Sequence, residues 1–230
     1  MRDFRANPPL RLARGAGKEL VAAGIPLILA LVAATIWPGL YTFLLAGLLT
    51  AIFALLLYFL RDPERATPMG EGLFLAPADG RVVEVKQVYE PRFLEGKAVK
   101  IGIFMSLLDV HVNRAPAEGQ VILVEHVAGK FLQAFRPEAS EVNEHNLIGL
   151  EGRYGRVLVK QVAGIMARRI ACWVHPGQRL QAGERLGVIK FGSRVDLYLP
   201  PGAEPAIRVG DRTRAGMTVV ARWKKRGEIE

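Results

Sequence analysis

From Leu20 to Leu60 the chain carries no Lys, Arg, Asp or Glu, and Trp37-Pro38-Gly39 divides this apolar run into two segments, about 20–37 and 40–60. Each approaches the roughly 20 residues that a helix needs to cross a bilayer, which predicts a two-helix transmembrane hairpin over residues 20–60. Gly24 and Pro26 would weaken a soluble helix but are tolerated within membrane helices. A cleaved signal peptide fits less well, because the run is too long and its second half would halt transfer. A re-entrant hairpin that never fully crosses stays open as an alternative, since the first segment is short.

After a linker, Arg61 to Glu71, the pattern switches to short alternating runs separated by Gly, Pro and Asp, which predicts strands rather than long helices. Asp79-Gly80 reads as a tight hairpin turn leading into Arg81-Val82-Val83-Glu84-Val85. Val99, Ile101 and Ile103 share one face of a second strand, and Val195, Leu197 and Leu199 share one face of a later one. Short helical pieces are expected at Ser106 to His111, from Phe131 toward Glu144, and at Gly164 to Cys172. Near the C-terminus, Gly177-Gln178-Arg179-Leu180-Gln181-Ala182-Gly183 is echoed by Gly210-Asp211-Arg212-Thr213-Arg214-Ala215-Gly216. Both copies look like the turn and strand entry of a barrel-sandwich hybrid, although neither offers a Lys at a hairpin tip for cofactor attachment. The expected fold class is mostly β (α+β). A barrel-sandwich-hybrid-like domain with short helices, residues 61–230, follows a basic flank (1–19) and the hairpin (20–60).

Charge alters this picture mainly at the membrane. The net charge of +9 could suggest nucleic acid, but the basic residues are not interleaved with aromatics as base stacking would favour. Arg2, Arg5, Arg11, Arg14 and Lys18 instead precede the apolar run, where an anionic leaflet attracts each by roughly 1 kcal/mol. Arg61 and Arg65 follow the run and its central link is uncharged, which places both ends in the cytoplasm. Arg222, Lys224, Lys225 and Arg226 form a second basic cluster that serves equally well as a solvated tail or a lipid contact. Cys172 is the only cysteine, so neither an internal disulfide nor a multi-thiolate metal site can form; in its apolar run it reads as an inert thiol.

Three segments combine reactive side chains with strand boundaries: Ala76-Pro77-Ala78-Asp79-Gly80, Leu108-Asp109-Val110-His111-Val112-Asn113-Arg114 and Lys190-Phe191-Gly192-Ser193-Arg194-Val195-Asp196. Together with the two-segment anchor and the stretch from Ala167 to Trp173, they resemble the phosphatidylserine decarboxylase proenzyme family. The likeness is to its short branch, whose cleavage motif reads FGSR rather than LGST. It implies autocatalytic cleavage between Gly192 and Ser193 into a β chain (1–192) and an α chain (193–230), with Ser193 becoming a covalent pyruvoyl group. Glycine suits the cleavage position, since it leaves its carbonyl open and permits strained angles. Ser193 Oγ would attack that carbonyl, elimination would leave dehydroalanine, and loss of ammonia to water would give the ketone.

A serine hydroxyl needs a base, and His111 is the first candidate, with Asp79 to orient the imidazole. Asp79 can equally be the turn-forming residue of its Asp-Gly pair. The longer branch has a second histidine three positions after the first; Arg114 stands there in this chain, and a guanidinium would suit the substrate's phosphate or carboxylate. His126, His145 and His175 show no metal-site spacing and read as ordinary histidines. His145, within Asn143-Glu144-His145-Asn146, is a second substrate-binding candidate, and Phe131 and Phe135 either line an apolar entry for a lipid tail or belong to the core.

By the same resemblance, the pyruvoyl carbonyl takes up the substrate amine as a Schiff base and, with its neighbouring amide carbonyl, holds the electrons left by departing carbon dioxide, with His111 a candidate to protonate the carbanion. No metal and no pyridoxal phosphate is expected. The expected substrate is a serine phospholipid at the cytoplasmic membrane, and the two chains stay associated; the choice of glycerol ester or archaeal ether lipid, and of monomer or homodimer, stays open. Rival readings are a membrane-tethered adaptor without catalysis and a hydrolase using Ser193 directly.

Overall fold

The computed structural model describes residues 11–136, 138–165, 170–190 and 192–224. Arg2, Arg5, Phe191, Lys225 and Arg226, together with Ala167 to Arg169 of the quoted stretch, lie outside them. The chain divides into two compact units, Met1–Glu64 and Arg65–Glu230.

In the first unit, helix α1 (Gly17–Ile36) and helix α2 (Leu40–Phe59) lie where the charge-free run predicts them. Both are long and apolar enough to cross a membrane. They meet through small side chains: Ala30, Ala34 and Ala46 are buried together, with Leu49 packed against them, the contact that lets helix backbones approach closely in lipid. Val21, Ile28, Leu29, Leu44 and Leu48 face outward, as lipid-facing positions would.

The second unit is mostly β. Its strands are β1 (Leu73–Leu75), β2 (Gly80–Glu90), β3 (Gly96–Met105), β4 (Val112–Arg114), β5 (Gly119–Val127), β6 (His145–Gly152) and β7 (Gly155–Val162), with the single turn of helix α3 (Ala139–Val142) before β6. There follow β8 (Ile170–Cys172), β9 (Arg179–Leu180), β10 (Arg185–Ile189), β11 (Ser193–Leu199), β12 (Ala203–Pro205), β13 (Arg212–Thr213) and β14 (Val219–Trp223). An eight-stranded sheet runs β13-β2-β3-β11-β7-β6-β5-β9, and two three-stranded sheets, β1-β14-β12 and β4-β10-β8, complete the unit. Val82 near one end of the large sheet and Val121 near the other share one core with Ile101, Ile103, Val195 and Leu197, so the sheet curls around it. Truncating a fully buried Ile101 or Ile103 to Ala would destabilise the unit by about 2–5 kcal/mol.

The sequence repeat is structural. Its copies supply β9 and β13, the two edge strands of the large sheet. They dock alike: Gly177 and Gly210 donate to Val121 and Val82, while Gly183 and Gly216 donate to Ala115 and Ala76. Gly183 and Gly216 have φ of +83° and +69°, and a Cβ on Gly216 would come 3.2 Å from Gly183 Cα, so the copies meet at a contact that glycine alone permits.

Three local expectations need correction. Asp79-Gly80 is not a hairpin turn but the corner between β1 and β2, which belong to different sheets; Gly80 is needed because a Cβ there would meet the Phe104 carbonyl oxygen at 2.1 Å. Ser106 to His111 forms turns instead of a helix, and the Asp109 carboxylate closes them by accepting from Ser106 N and Oγ. Residues 170–172, expected as the end of a helix, are strand β8, paired with β10. In the Phe131 to Glu144 segment, the helix is confined to α3.

Candidate active site

The end of the large sheet where β3 finishes and β11 begins gathers the reactive segments. Ser193 is the first residue of β11 and stands opposite Met105, the last of β3. β4 pairs with β10, and Ile189 N donates to His111 O at 3.4 Å, so the strand leading to Gly192 lies alongside the histidine segment. Asp79 enters the same end through the corner before β2.

Ser193 is fully buried, and its hydroxyl contacts Met105 Sδ at 3.4 Å, a weak acceptor that leaves the oxygen lone pairs uncommitted. Gly192 has φ +54°, the left-handed region that glycine tolerates best. Its carbonyl oxygen abuts Gly164, where a Cβ would come within 2.0 Å of it. His111 is 1 % exposed, with Nδ1 2.9 Å from the Asp109 carbonyl oxygen. Donation to that carbonyl fixes the proton of a neutral ring on Nδ1, so the buried Nε2 carries the basic lone pair.

At Nδ1 the imidazole is therefore oriented by a backbone carbonyl two residues back in the chain. The Asp79 carboxylate engages Arg65 through two hydrogen bonds, 2.5 and 2.8 Å, and accepts from Ala215 N at 2.8 Å. Arg114 is 4 % exposed and donates to Gly183 O at 2.9 Å, tying β4 to the first repeat copy. His145 is buried at the start of β6, with Nδ1 2.6 Å from Asn143 O; burial holds its pKa below the ordinary value. Phe131 packs against the core, whereas Phe135 is 55 % exposed and stacks edge-on to Phe104. Burial raises the pKa of the Cys172 thiol, in keeping with an inert residue.

Two groups were not singled out from sequence. On the face of β11 that carries Ser193, Gln161 Nε2 donates to Asn113 Oδ1 at 2.7 Å, and Asn113 Nδ2 contacts the same Met105 sulfur as Ser193, at 3.7 Å. Gln161 Oε1 is buried and has no hydrogen-bond partner among the described residues. The opposite face carries a buried ionic network. Arg194 joins Glu84 and, at 2.5 Å, Asp196; Lys100 lies 3.1 Å from Glu84 and 3.0 Å from Ser140 Oγ, which donates to Asp196. Burial alone would raise the Glu84 pKa, but the hydrogen bond from Lys86 and the charges of Lys100 and Arg194 outweigh it and hold the carboxyl at about 2. Asn113, Arg194 and Asp196 lie inside the quoted segments, so position in the motif was the available signal. Among the described residues, no three His, Cys, Asp or Glu side chains cluster as metal ligands.

The arrangement offers a buried hydroxyl beside the carbonyl of a left-handed glycine, with an imidazole of fixed tautomer at the same end of the sheet. A sequence profile described as phosphatidylserine decarboxylase matches residues 52–221. The phosphatidylserine decarboxylase proenzyme of Symbiobacterium thermophilum is 46% identical over 200 residues, covering 86% of this chain and 93% of its own. That of Carboxydothermus hydrogenoformans is 45% identical over 217 residues, covering 94% and 98%. That of Gluconacetobacter diazotrophicus is 50% identical over 174 residues, covering 74% and 77%.

Proposed function

The chain belongs to the phosphatidylserine decarboxylase family, and from that premise we propose how its own residues carry the activity: Ser193 cuts the bond before it and becomes the pyruvoyl group. The observation that carries this reading is the pairing of a fully buried Ser193 with a left-handed Gly192 at the start of β11. His111 Nε2 takes the hydroxyl proton, Ser193 Oγ adds to the Gly192 carbonyl, and the imidazolium gives the proton to the Ser193 nitrogen as the Gly192–Ser193 C–N bond breaks, so the amide becomes an ester. Removal of the Ser193 α-proton expels the Gly192 carboxylate and leaves dehydroalanine; its imine form takes up water and releases ammonia, leaving the ketone. Asp79, held by Arg65 and Ala215, fixes the corner from which β2 runs beside β3.

After cleavage β11 remains hydrogen-bonded between β3 and β7, β13 to β2, and β14 to β1. These pairings support lasting association of the α chain (193–230) with the β chain (1–192). Arg194, second residue of the α chain, is held by Glu84 of the β chain and supports the position of the new terminus. The pyruvoyl group supplies the electrophile and electron sink for decarboxylation. Asn113 and Gln161 orient the reacting groups on the Ser193 face, and His111, once protonated on Nε2, gives that proton to the α-carbon and is left neutral. Arg114 and His145 complete the buried walls around this end of the sheet.

The substrate is a serine phospholipid, and the basic flanks of the apolar hairpin support a cytoplasmic orientation of the catalytic unit. Purified protein given carboxyl-labelled phosphatidylserine or free serine tests this reading. Labelled carbon dioxide is expected from the lipid and far less from serine, whereas equal turnover of both rejects it.

A further inference from the structure

Four large apolar side chains stand out at the reactive end of the sheet: Leu107, Leu108, Phe135 and Ile165 are 45%, 61%, 55% and 58% exposed. Their neighbours tie them to one rim. Leu107 and Leu108 occupy the turn just after Met105, the residue opposite Ser193. Phe135 stacks on Phe104, which stands in register between Arg81 of β2 and Arg194 of β11. Ile165 follows Gly164, whose Cβ position would meet both the Gly192 carbonyl and, at 3.2 Å, the Ala134 side chain.

The rim is also basic on one side. Arg81 and Arg212 pair in register and are exposed, and Arg212 lies 3.8 Å from Asp109 in the same turn as Leu107 and Leu108. Glu138 offsets Arg136 beside Phe135 and Asp109 offsets Arg212, so Arg81 supplies the excess positive charge of this edge. Apolar side chains bordered by arginines match a bilayer surface of anionic lipid, where the apolar groups enter the acyl boundary and the guanidinium groups meet phosphate and carboxylate. Ser193 lies buried at this same end of the sheet, opposite Met105.

We infer that this rim, Leu107, Leu108, Phe135 and Ile165 with Arg81 and Arg212, docks directly on the phospholipid bilayer and delivers the substrate headgroup, separately from the anchoring helices. The inference rests on the phosphatidylserine reading. Its test uses the full-length protein in vesicles containing phosphatidylserine, with nitroxides on Leu108→Cys, Phe135→Cys and Arg153→Cys in a Cys172→Ser background. Arg153 serves as control, because its turn joins β6 and β7 at the opposite end of the sheet and it is exposed. The labels at 108 and 135 are expected to be open to oxygen and shielded from a water-soluble nickel chelate, and the label at 153 the reverse. Equal, water-like accessibility at all three sites overturns the inference, as does dipolar broadening that shows a second copy of the chain covering the rim.

A functional arm separates docking from damage to the site. Leu108→Gln combined with Phe135→Gln is expected to raise the apparent KM for phosphatidylserine in vesicles about tenfold, leaving self-cleavage and turnover of a water-soluble short-chain phosphatidylserine unchanged. Equal loss on both substrates contradicts it. Failure of the wild-type chain to decarboxylate either lipid would instead refute the underlying functional reading.

Discussion

Replacing Glu84 with Gln probes the ionic network behind the cleavage site. Glu84 hydrogen-bonds Arg194 across the future chain break and also faces Lys100 and Lys86, with only 17% of its side chain exposed. Its carboxyl is held at about 2 rather than 4.5. A folded-state pKa depressed in this way contributes stability that is fully present above the unfolded value and is lost as pH falls through the folded one, roughly 3 kcal/mol at neutral pH. Gln mimics the protonated carboxyl, so the difference between the variants is expected to be roughly 3 kcal/mol at pH 7, to shrink as pH falls from 4.5 toward 2, and to vanish below about pH 2. The assay is urea unfolding of detergent-solubilised Ser193→Ala protein, which stays a single chain, with and without Glu84→Gln. A difference independent of pH would refute the reasoning.

Other outcomes follow from the site. Gly164→Ala must displace the Gly192 carbonyl, since its Cβ would sit 2.0 Å from that oxygen; cleavage, followed on denaturing gels, is expected to slow about 100-fold while the β-sheet circular dichroism persists. His111→Ala removes the proposed base and is expected to slow the same cleavage about 100- to 10,000-fold. Gln161→Leu removes a buried oxygen that lacks a partner among the described residues; if the amide pair orients substrate, turnover falls about tenfold with little change in unfolding midpoint. Cys172, half-buried with a raised pKa, is expected to react with maleimide at neutral pH far more slowly than a model thiol, and rapid labelling of folded protein would contradict that.

The features most legible in the sequence depend on local pattern. A charge-free run admits few folds other than α1 and α2, and alternation along β11 marks Val195, Leu197 and Leu199 as core positions. The Gly-bounded repeat was legible too, because glycines at positive φ recur at fixed spacing. What escaped depends on distant chain. Arg194 and Asp196 alternate with the core residues as a solvent-facing pair would, yet both are buried, and Asp196 accepts from Ser140, 56 positions away. Asp79-Gly80 has the same local chemistry in a hairpin as at a corner between sheets, and only strand pairing distinguishes them. The Nδ1 partner of His111 is a backbone carbonyl two residues back, set by loop geometry that side-chain spacing does not encode.

The central claim is that Ser193 is consumed to make the catalytic ketone, and intact-mass analysis of the purified, active protein tests it most directly. The account predicts two chains, 1–192 and 193–230. Their summed mass should equal that of the 25.3 kDa precursor plus water minus ammonia, and the shorter chain should carry a blocked, hydrazine-reactive terminus. A single active chain of unaltered precursor mass, unreactive toward hydrazine, would contradict it.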